Sequence, residues 1–326
     1  MVHTDSLLPI FVGREGCRMR KSERLVCCAA VLFTLSVLGC EERKPISTTS
    51  GTLRIEVDES VSEVFKTIAD SFQRTYTQAQ ITIVSVEARV AIADFINDSV
   101  RVIASAREFN DEERAVLKKY PEIEWKGFKC ALDAVAVIGH ISNPRTELRM
   151  SELDSIFSGT LTRWSGKGKL IDLAIGDINS SVNEVFKTNI LKEKPFALTA
   201  EKFPSSDSLI RYVERNPNAI GIVGVSRLRG AEDRVKVFSL GQPGTRPDST
   251  EPFGRYYPPL QAHVYRNYYP LTRPVYMYSR EHGYSLAAGF ITYVTSRFGQ
   301  QIFLNAGLVP VTMPVRLVET TSKQVQ

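Results

Sequence analysis

Two segments of the sequence place serine and glutamate at the start of a predicted helix in the same Ser-x-x-Glu pattern. They are Ser60-Val61-Ser62-Glu63 and Ser181-Val182-Asn183-Glu184, and each opens an apolar run with helical period. One interpretation is a capping box, in which the serine accepts from the helix backbone and the glutamate reaches back. The other is an oxyanion site, because exposed N–H groups and a partial positive charge at a helix start attract phosphate or sulfate. The pattern alone leaves both open.

A candidate cation, Arg107, follows the third predicted strand. Ligands of open α/β sheets gather at such strand ends, and a guanidinium can hold an anion through two hydrogen bonds. A surface salt bridge with Glu108 or Asp111 accounts for Arg107 equally well.

Motifs for catalysis and metal binding are missing from the sequence. The three histidines beyond residue 39, His140, His263 and His282, are not spaced as metal ligands, so we expect no metal and no cofactor. There is no phosphate-binding glycine loop and no Gly-x-Ser-x-Gly elbow. We therefore predict a binding protein, not an enzyme; a hydrolase using Ser181 or Ser226 is a minor alternative, because neither serine has a clear base beside it.

The composition is that of a globular protein. The 326 residues are 43% hydrophobic and 24% charged, with 41 Lys+Arg against 36 Asp+Glu. These proportions exclude wholesale disorder and a multi-span membrane protein, and the length favours two lobes over one core. Because the charge excess is small and no long basic block occurs, nucleic-acid binding is not expected.

The N-terminal segment has the features of a secretory leader. An uncharged run, 25–38, follows four basic residues and is too short to cross a bilayer, which takes about 20 residues. It ends at a segment that resembles a lipobox, so we predict a signal peptide over 1–39, with Met19 as an alternative start, and a lipid on Cys40. An uncleaved short anchor is the alternative. Residues 40–50 would then tether an extracytoplasmic lipoprotein to the cell envelope, either facing the periplasm or on the outer membrane.

Loss of the leader would leave Cys130 as the one cysteine in the folded part, so no internal disulfide is expected.

Hydrophobic periodicity predicts an α/β protein with a mostly parallel sheet. The proposed strands are 53–57, 81–86, 100–105, 131–138, 171–175, 220–225 and 275–278. The proposed helices are 61–76, 91–96, 151–157, 181–191, 206–215 and 286–294. The proline-rich segment 241–261 is expected to be irregular.

Several segments, taken in order, resemble the phosphate-binding component of bacterial phosphate ABC transporters. They are Leu132-Asp133-Ala134-Val135-Ala136-Val137-Ile138 with Asn143-Pro144, Met150 to Gly159 with Trp164, Asn216 to Gly221 with Gly224, Tyr269-Pro270-Leu271-Thr272-Arg273-Pro274, Phe298 to Ile302, and Ala306 to Pro310. The resemblance covers nearly everything from Gly51 to Glu319.

The resemblance implies a type II periplasmic-binding-protein fold, with two α/β lobes of mixed or parallel sheets joined by two crossover segments. Lobe 1 would comprise 51–133 and 263–318, lobe 2 would comprise 134–262, and 319–326 would form a tail. The family binds phosphate through helix N-termini, hydroxyls and an arginine. By position, the ligand-binding residues would be Ser60, Val61, Arg89, Arg107, Asn179, Ser180, Ser181 and Val182.

Two departures from the family pattern bear on selectivity. The second binding loop usually reads Arg-x-x-Ser-Gly-Thr, whereas segment 177–182 has neither the arginine nor the glycine. Many members carry Asp or Ser after the third strand, where this chain has Ala106. An acidic acceptor there would distinguish protonated phosphate from sulfate. Arg107 or Arg89 would have to supply the positive charge.

The resulting expectation is a monomeric, lipid-anchored solute-binding protein. It would capture inorganic phosphate, or a related oxyanion, in a cleft between the lobes and deliver it to a membrane ABC permease. The alternative is a sensor or interaction lipoprotein that keeps the fold but has lost transport.

Overall fold

The computed structural model describes residues 47–166, 168–241 and 255–312. The expected leader, Cys40, most of the tether, most of the proline-rich segment and the tail lie outside these ranges. Within them, no helix is both long and apolar enough to cross a bilayer.

Strands and helices alternate along the described chain. The strands are β1 Gly51–Asp58, β2 Ala79–Val86, β3 Val102–Ser105, β4 Lys126–His140, β5 Glu147–Arg149, β6 Asp172–Ile175, β7 Glu201–Lys202, β8 Ala219–Gly224, β9 Val235–Val237, β10 Ser239–Gly241, β11 Thr272–Ser279 and β12 Val309–Pro310. The helices are α1 Ser62–Thr75, α2 Ala88–Ile96, α3 Asp111–Lys119, α4 Met150–Phe157, α5 Ser181–Phe186, α6 Ser206–Arg215, α7 Gln261–Tyr265, α8 Leu286–Thr295 and α9 Arg297–Asn305. Short helical turns cover Glu59–Val61 and Val225–Leu228.

The strands build a mixed sheet that continues from one lobe into the other. Its order is β2-β1-β3-β11-β4-β8-β6-β7, and β9 and β12 also pair with β4. Strands β1, β2 and β3 run parallel in the first lobe, and β6, β7 and β8 run parallel in the second. The long strand β4 is antiparallel to its neighbours and belongs to both lobes. This is the two-lobed α/β fold that the resemblance implied; the residue limits proposed for each lobe stay a prediction.

The first lobe packs α1 against α8 and α9 over the parallel strands. Phe72 of α1 meets Phe290 and Tyr293 of α8 edge-on, with ring centroids 5.6 and 5.3 Å apart. Phe65 meets Phe303 of α9 in the same way. These rings come from the apolar face that the helical period had marked, which explains why the segment forms a helix.

The second lobe has its own core, in which α6 lies close to β8. Gly221 makes this approach feasible, since a Cβ there would stand 2.7 Å from Leu209 Cδ2. Leu209 and Val213 are buried against the strand. A second aromatic cluster, Phe157, Phe186 and Phe196, fills the opposite side of the sheet.

Most predicted elements are confirmed within a few residues of their ends, and the failures have a physical reason. Helix α3 was not predicted because only Leu117 of its side chains is buried, so it has no apolar period. Helix α9 was also missed. The helix expected over 181–191 is confirmed over its length, but only Ser181–Phe186 (α5) is α-helical, and Lys187–Leu191 continues it as a wider π-helix.

The aromatic contacts of Phe72 predict a large loss of stability in Phe72→Ala. Phe72 is 1% exposed, so its removal leaves a cavity that the neighbouring rings cannot close. We expect urea denaturation to give a free energy of unfolding lower by about 3–5 kcal/mol. The matched control is Phe298→Ala, since Phe298 is 66% exposed, and its cost should stay within about 0.5–1 kcal/mol. Equal losses in the two variants would contradict this account of the core.

Candidate functional site

The loops that end the parallel strands meet at one place between the lobes. In the first lobe, Asp58 ends β1, Glu87 follows β2 and Ala106 follows β3. In the second lobe, segment 176–180 leads from β6 into α5. Because the carboxyl ends of parallel strands share one edge of a sheet, each lobe presents its binding loops to the other.

A buried ion pair between Arg273 and Asp133 lies where β11 and β4 pass beside this meeting point. The two residues are direct cross-strand neighbours. The Nε and Nη2 atoms of Arg273 donate to Asp133 Oδ2 over 3.0 and 2.6 Å. Arg273 is 1% exposed and Asp133 is 2% exposed, so each charge depends on the other for compensation.

Arg273 also binds one serine from each lobe. Its Nη2 donates to Ser60 Oγ over 3.0 Å, and its Nη1 donates to Ser181 Oγ over 2.8 Å. The two hydroxyl oxygens are 3.4 Å apart. A guanidinium and two hydroxyls thus converge on one point, and the guanidinium is the group there that can hold an oxyanion.

Asp58 fixes the orientation of Ser60. Its Oδ1 accepts from the backbone N–H and the hydroxyl of Ser60, over 3.1 and 2.8 Å. Its Oδ2 accepts from the backbone N–H of Ala106. Because the Ser60 proton points at Asp58, the lone pairs of the hydroxyl are left to face Arg273.

Close packing of the backbone is required on the second-lobe side of this cluster. Gly224, the last residue of β8, lies so near Arg273 that a Cβ there would be 2.5 Å from Nη2. Any side chain at this position would displace the guanidinium. The glycine that the family resemblance included therefore has a steric reason.

Neither Ser-x-x-Glu segment is a capping box. Helix α1 has no side-chain cap, and Asp58 caps the short turn that precedes it. Helix α5 is capped by Ser180, one residue earlier than the pattern suggested. The capping interpretation is wrong because the hydroxyls of both serines bind Arg273 on β11 instead of the N–H groups of their own helices.

The remaining residues of the second predicted loop are in place near the cluster. Ser180 Oγ accepts from the Asn183 backbone N–H, and Val182 is buried in the core of its lobe. The backbone N–H of Asn179 donates to Asp177 Oδ1. In the first lobe, Val61 is fully buried.

Arg89 does not bring its side chain into the cluster. It is exposed on α2. Its backbone N–H, however, donates to the Asn179 carbonyl over 3.3 Å, which links the two lobes through the main chain.

Arg107 is buried, and carboxylates surround it. It binds Glu113 through two hydrogen bonds of 2.8 and 2.7 Å, and its Nε lies 2.8 Å from Glu184 Oε2 in the second lobe. The salt-bridge interpretation is correct in kind, but Glu108 and Asp111 are the wrong partners. Glu108 contributes only its backbone carbonyl.

An acidic recess adjoins the serine–arginine cluster. Glu59, Glu87 and Asp177 line it together with serines of both lobes. Burial raises the pKa of Glu87 to about 8, and the neighbouring Asp58, Glu59 and Asp177 add to the shift. Its Oε2 accepts no hydrogen bond from any described residue. Glu87 therefore holds a proton over much of the neutral range.

The serines show no arrangement typical of a nucleophile. Ser226 Oγ donates to the Ser60 carbonyl over 2.7 Å, and the hydrogen-bond partners of Ser181 are Arg273 and Ser60. Neither contact provides a general base. In the described ranges, no group of three or more His, Cys, Asp or Glu could hold a metal ion.

Three central residues were missed as site residues: Asp58, Asp133 and Arg273. The signal for the last two was present, since a charged residue interrupts each of two apolar strand segments. Charged side chains are almost never fully buried unless they are paired, so the two would have been candidates for each other.

Comparison with models of known protein families shows which family the chain belongs to. The model of the PBP superfamily domain matches residues 43–297. The chain belongs to the PBP superfamily. Among curated proteins, the phosphate-binding protein PstS of Pseudomonas aeruginosa is 22% identical over 302 residues, or 87% of this chain and 90% of PstS.

Solved structures of the PBP superfamily show the same fold. One is a Clostridium perfringens protein assigned as a phosphate ABC transporter substrate-binding protein and determined with bound phosphate. It has a TM-score of 0.68 and 21% identity, covering 80% of this chain and 100% of that chain. An ABC-type phosphate transport receptor from Vibrio cholerae has a TM-score of 0.62 and 17% identity, and the match covers 80% of this chain and 100% of that chain.

The energetic coupling between Arg273 and Asp133 can be measured by a double-mutant cycle. Asp133→Ala leaves the Arg273 guanidinium buried without its counter-charge, so we expect the free energy of unfolding to fall by about 3–5 kcal/mol. Adding Arg273→Met removes the stranded charge, and the double variant should recover a large part of the loss. Urea denaturation of the four chains measures this. Losses that simply add would show that the two side chains do not interact.

The raised pKa of Glu87 predicts that the stability of the folded chain depends on pH. Because its pKa is higher in the folded chain than in the unfolded chain, its contribution is full below the ordinary glutamate range and is lost as the pH rises through about 8. Glu87→Gln removes the titration. We expect the variant to gain about 1–2 kcal/mol over the native chain between about pH 5 and pH 9, after discounting for partial exposure.

The matched control for this titration is Glu112→Gln, since Glu112 is exposed on α3. Denaturant unfolding at several pH values should give parallel curves for the control and the native chain. If Glu87→Gln also runs parallel to the native chain, burial does not perturb this carboxyl.

Proposed function

We propose that this chain is an extracytoplasmic solute-binding protein that captures inorganic phosphate, or a related oxyanion, between its lobes for an ABC permease. The observation that carries the proposal is the convergence of Ser60, Ser181 and Arg273 from both lobes and the crossing strands. One similar protein is named a phosphate-binding protein and another was solved with bound phosphate, and both support phosphate as the ligand.

Arg273 supplies the positive charge that the second binding loop lacks. Its guanidinium has two nitrogens directed at serine oxygens, one in each lobe. An incoming oxyanion would exchange these serine contacts for contacts with its own oxygens, while Asp133 keeps the guanidinium in position. Contacts from both lobes would stabilise the closed form relative to an open one.

The other predicted ligand-binding residues act in this proposal through their backbones. Val61, Ser181 and Val182 lie at the starts of two helical segments, where backbone N–H groups can face a ligand, whereas the N–H groups of Ser60, Asn179 and Ser180 already bind Asp58 and Asp177 and hold the two loops in shape. Arg107 and Arg89 stay outside the ligand shell: carboxylates engage the first, and the second is exposed.

Selectivity for phosphate over sulfate would come from the acidic groups beside Ser60. Asp58 lies next to Ala106, where this chain lacks the acceptor of the family pattern, and its Oδ2 already accepts from the Ala106 N–H. Glu87 lies nearby, but its pKa of about 8 keeps it mostly protonated near neutrality, so Asp58 is the acceptor in this proposal. An ionised carboxylate accepts the proton of hydrogen phosphate but repels fully ionised sulfate, which has no proton to donate.

Membrane attachment is a further part of the proposal. The leader-like segment and the lipobox-like Cys40 support a lipidated protein that is held at the cell envelope by a short tether. Such an anchor keeps the binding lobes near a membrane permease, and the chain would act as a monomer without a cofactor.

Isothermal titration of the purified chain with phosphate, sulfate and molybdate tests the proposal. We expect phosphate to bind with a dissociation constant below about 1 mM, which corresponds to a binding free energy more favourable than roughly −4 kcal/mol. Ser60→Ala and Ser181→Ala should each weaken it by about 10-fold, since each removes one hydroxyl from the site. The matched control is Ser155→Ala, because Ser155 Oγ bonds only to its own helix. Absence of phosphate binding in the folded native chain would refute the proposal.

A second candidate function is a sensor or interaction protein that has kept the fold without transport. The buried carboxylates around Arg107 favour it, because they occupy a cation that an anion would otherwise use. In the same titration, a folded chain that binds none of the three anions, together with recovery of envelope proteins but no permease subunit in a pull-down, would support this candidate.

A further inference from the structure

Glu59 of the first lobe binds the start of α6 in the second lobe. Its Oε1 accepts from the Ser206 backbone N–H over 3.1 Å, and its Oε2 accepts from the Ser206 hydroxyl over 2.7 Å. A carboxylate at the N-terminus of a helix is favourable, because it satisfies an N–H and faces the positive end of the helix dipole. This carboxylate comes from the opposite lobe, so it joins the two lobes.

Arg227 reinforces this contact from within the second lobe. Its side chain is 7% exposed, and its Nη2 lies 3.5 Å from Glu59 Oε1 and 2.9 Å from Asp207 Oδ1. Asp207 belongs to the same lobe as Arg227, whereas Glu59 does not. The arginine therefore has one counter-charge on each side of the boundary.

Arg107 repeats the arrangement with the lobes reversed. It belongs to the first lobe and has Glu113 there as a two-bond partner. Its contact with Glu184 reaches into the second lobe, and Asn110 Nδ2 donates to the same carboxylate over 3.4 Å. Each of the two arginines thus keeps a carboxylate of its own lobe when the boundary opens.

We propose that Glu59–Ser206/Arg227 and Glu184–Arg107 form an interlobe latch that holds the lobes together independently of any bound anion. Glu59 and Glu184 share their helical segments with Ser60 and Ser181, but their side chains make contacts of their own and do not bind Arg273. Opening the lobes breaks the two Glu59–Ser206 hydrogen bonds and the ion pairs of Glu59 with Arg227 and of Glu184 with Arg107, but leaves no arginine buried without a counter-charge. The latch is therefore reversible, because the cost that makes most buried ion pairs hard to break is avoided on both arginines.

The latch also affects ligand affinity. If only the closed form assembles all donors, the apparent dissociation constant rises as the closed fraction falls. Weakening the latch then weakens ligand binding without touching a ligand contact. It makes closure sensitive to ionic strength, since the contacts are charged and border on solvent.

Hydrogen exchange of the full chain, dialysed free of phosphate, tests the latch by mass spectrometry. In Glu59→Gln plus Glu184→Gln we expect backbone amides of peptides covering 58–62, 178–186 and 204–210 to exchange roughly 10-fold faster than in the native chain. Raising the salt concentration from about 50 mM to about 1 M should accelerate exchange in the native chain and have less effect on the variant.

The matched control is Glu214→Gln, which breaks an ion pair with Arg234 inside the second lobe. It should leave exchange at the lobe boundary unchanged. Equal exchange at the boundary in all three chains, with the same denaturant midpoint, would overturn the latch. Because the measurement uses no anion, failure of phosphate binding would not alter this result, and failure of the latch would not decide phosphate binding.

Discussion

The buried guanidinium of Arg273 constrains how the two lobes are arranged. A charge that is 1% exposed needs compensation from fixed partners, since removing it from water costs several kcal/mol. Asp133 supplies the opposite charge from the adjacent strand, and one serine of each lobe accepts one further hydrogen bond. The lobes must therefore meet around this side chain for its hydrogen bonds to be complete.

The acidic groups nearby would be unfavourable without that arrangement. Glu59, Glu87 and Asp177 line one recess, Asp58 is close enough to raise the pKa of Glu87, and burial adds to the repulsion between these groups. The chain reduces the cost in two ways. Asp58 accepts three hydrogen bonds in its own lobe, which disperses its charge. Glu87 has a pKa raised to about 8 and therefore carries less charge near neutrality. An oxyanion with a proton suits such surroundings better than a fully ionised one.

The sequence was sufficient for the class of fold because its strands are apolar runs or apolar–polar alternations and its major helices have a clear apolar face. Helix α3 shows the limit: its single buried side chain leaves no period to detect. The site was predictable only in part. Ser60 and Ser181 were identified from their position at helix starts, but of the two interpretations left open for them the capping box is wrong. A pattern along one segment cannot report a partner that is 213 residues away, which is the separation of Ser60 and Arg273.

Arg107 and Arg273 show that the register between strands, and not sequence spacing alone, determines which charged side chains meet. Arg107 follows a parallel strand at the usual place for a ligand contact, yet two carboxylates from different lobes enclose it. Arg273 lies inside a strand, where a charge is unfavourable, yet the register of β11 against β4 sets Asp133 directly beside it. Both strands pass between the lobes at this point, so the ion pair is made within one strand pair and does not use the loops of either lobe. The serines, in contrast, come one from each lobe. If the lobes close on a ligand as proposed, closure would bring two hydroxyls to a cation that is already in position, and the two crossing strands would carry the centre of the site.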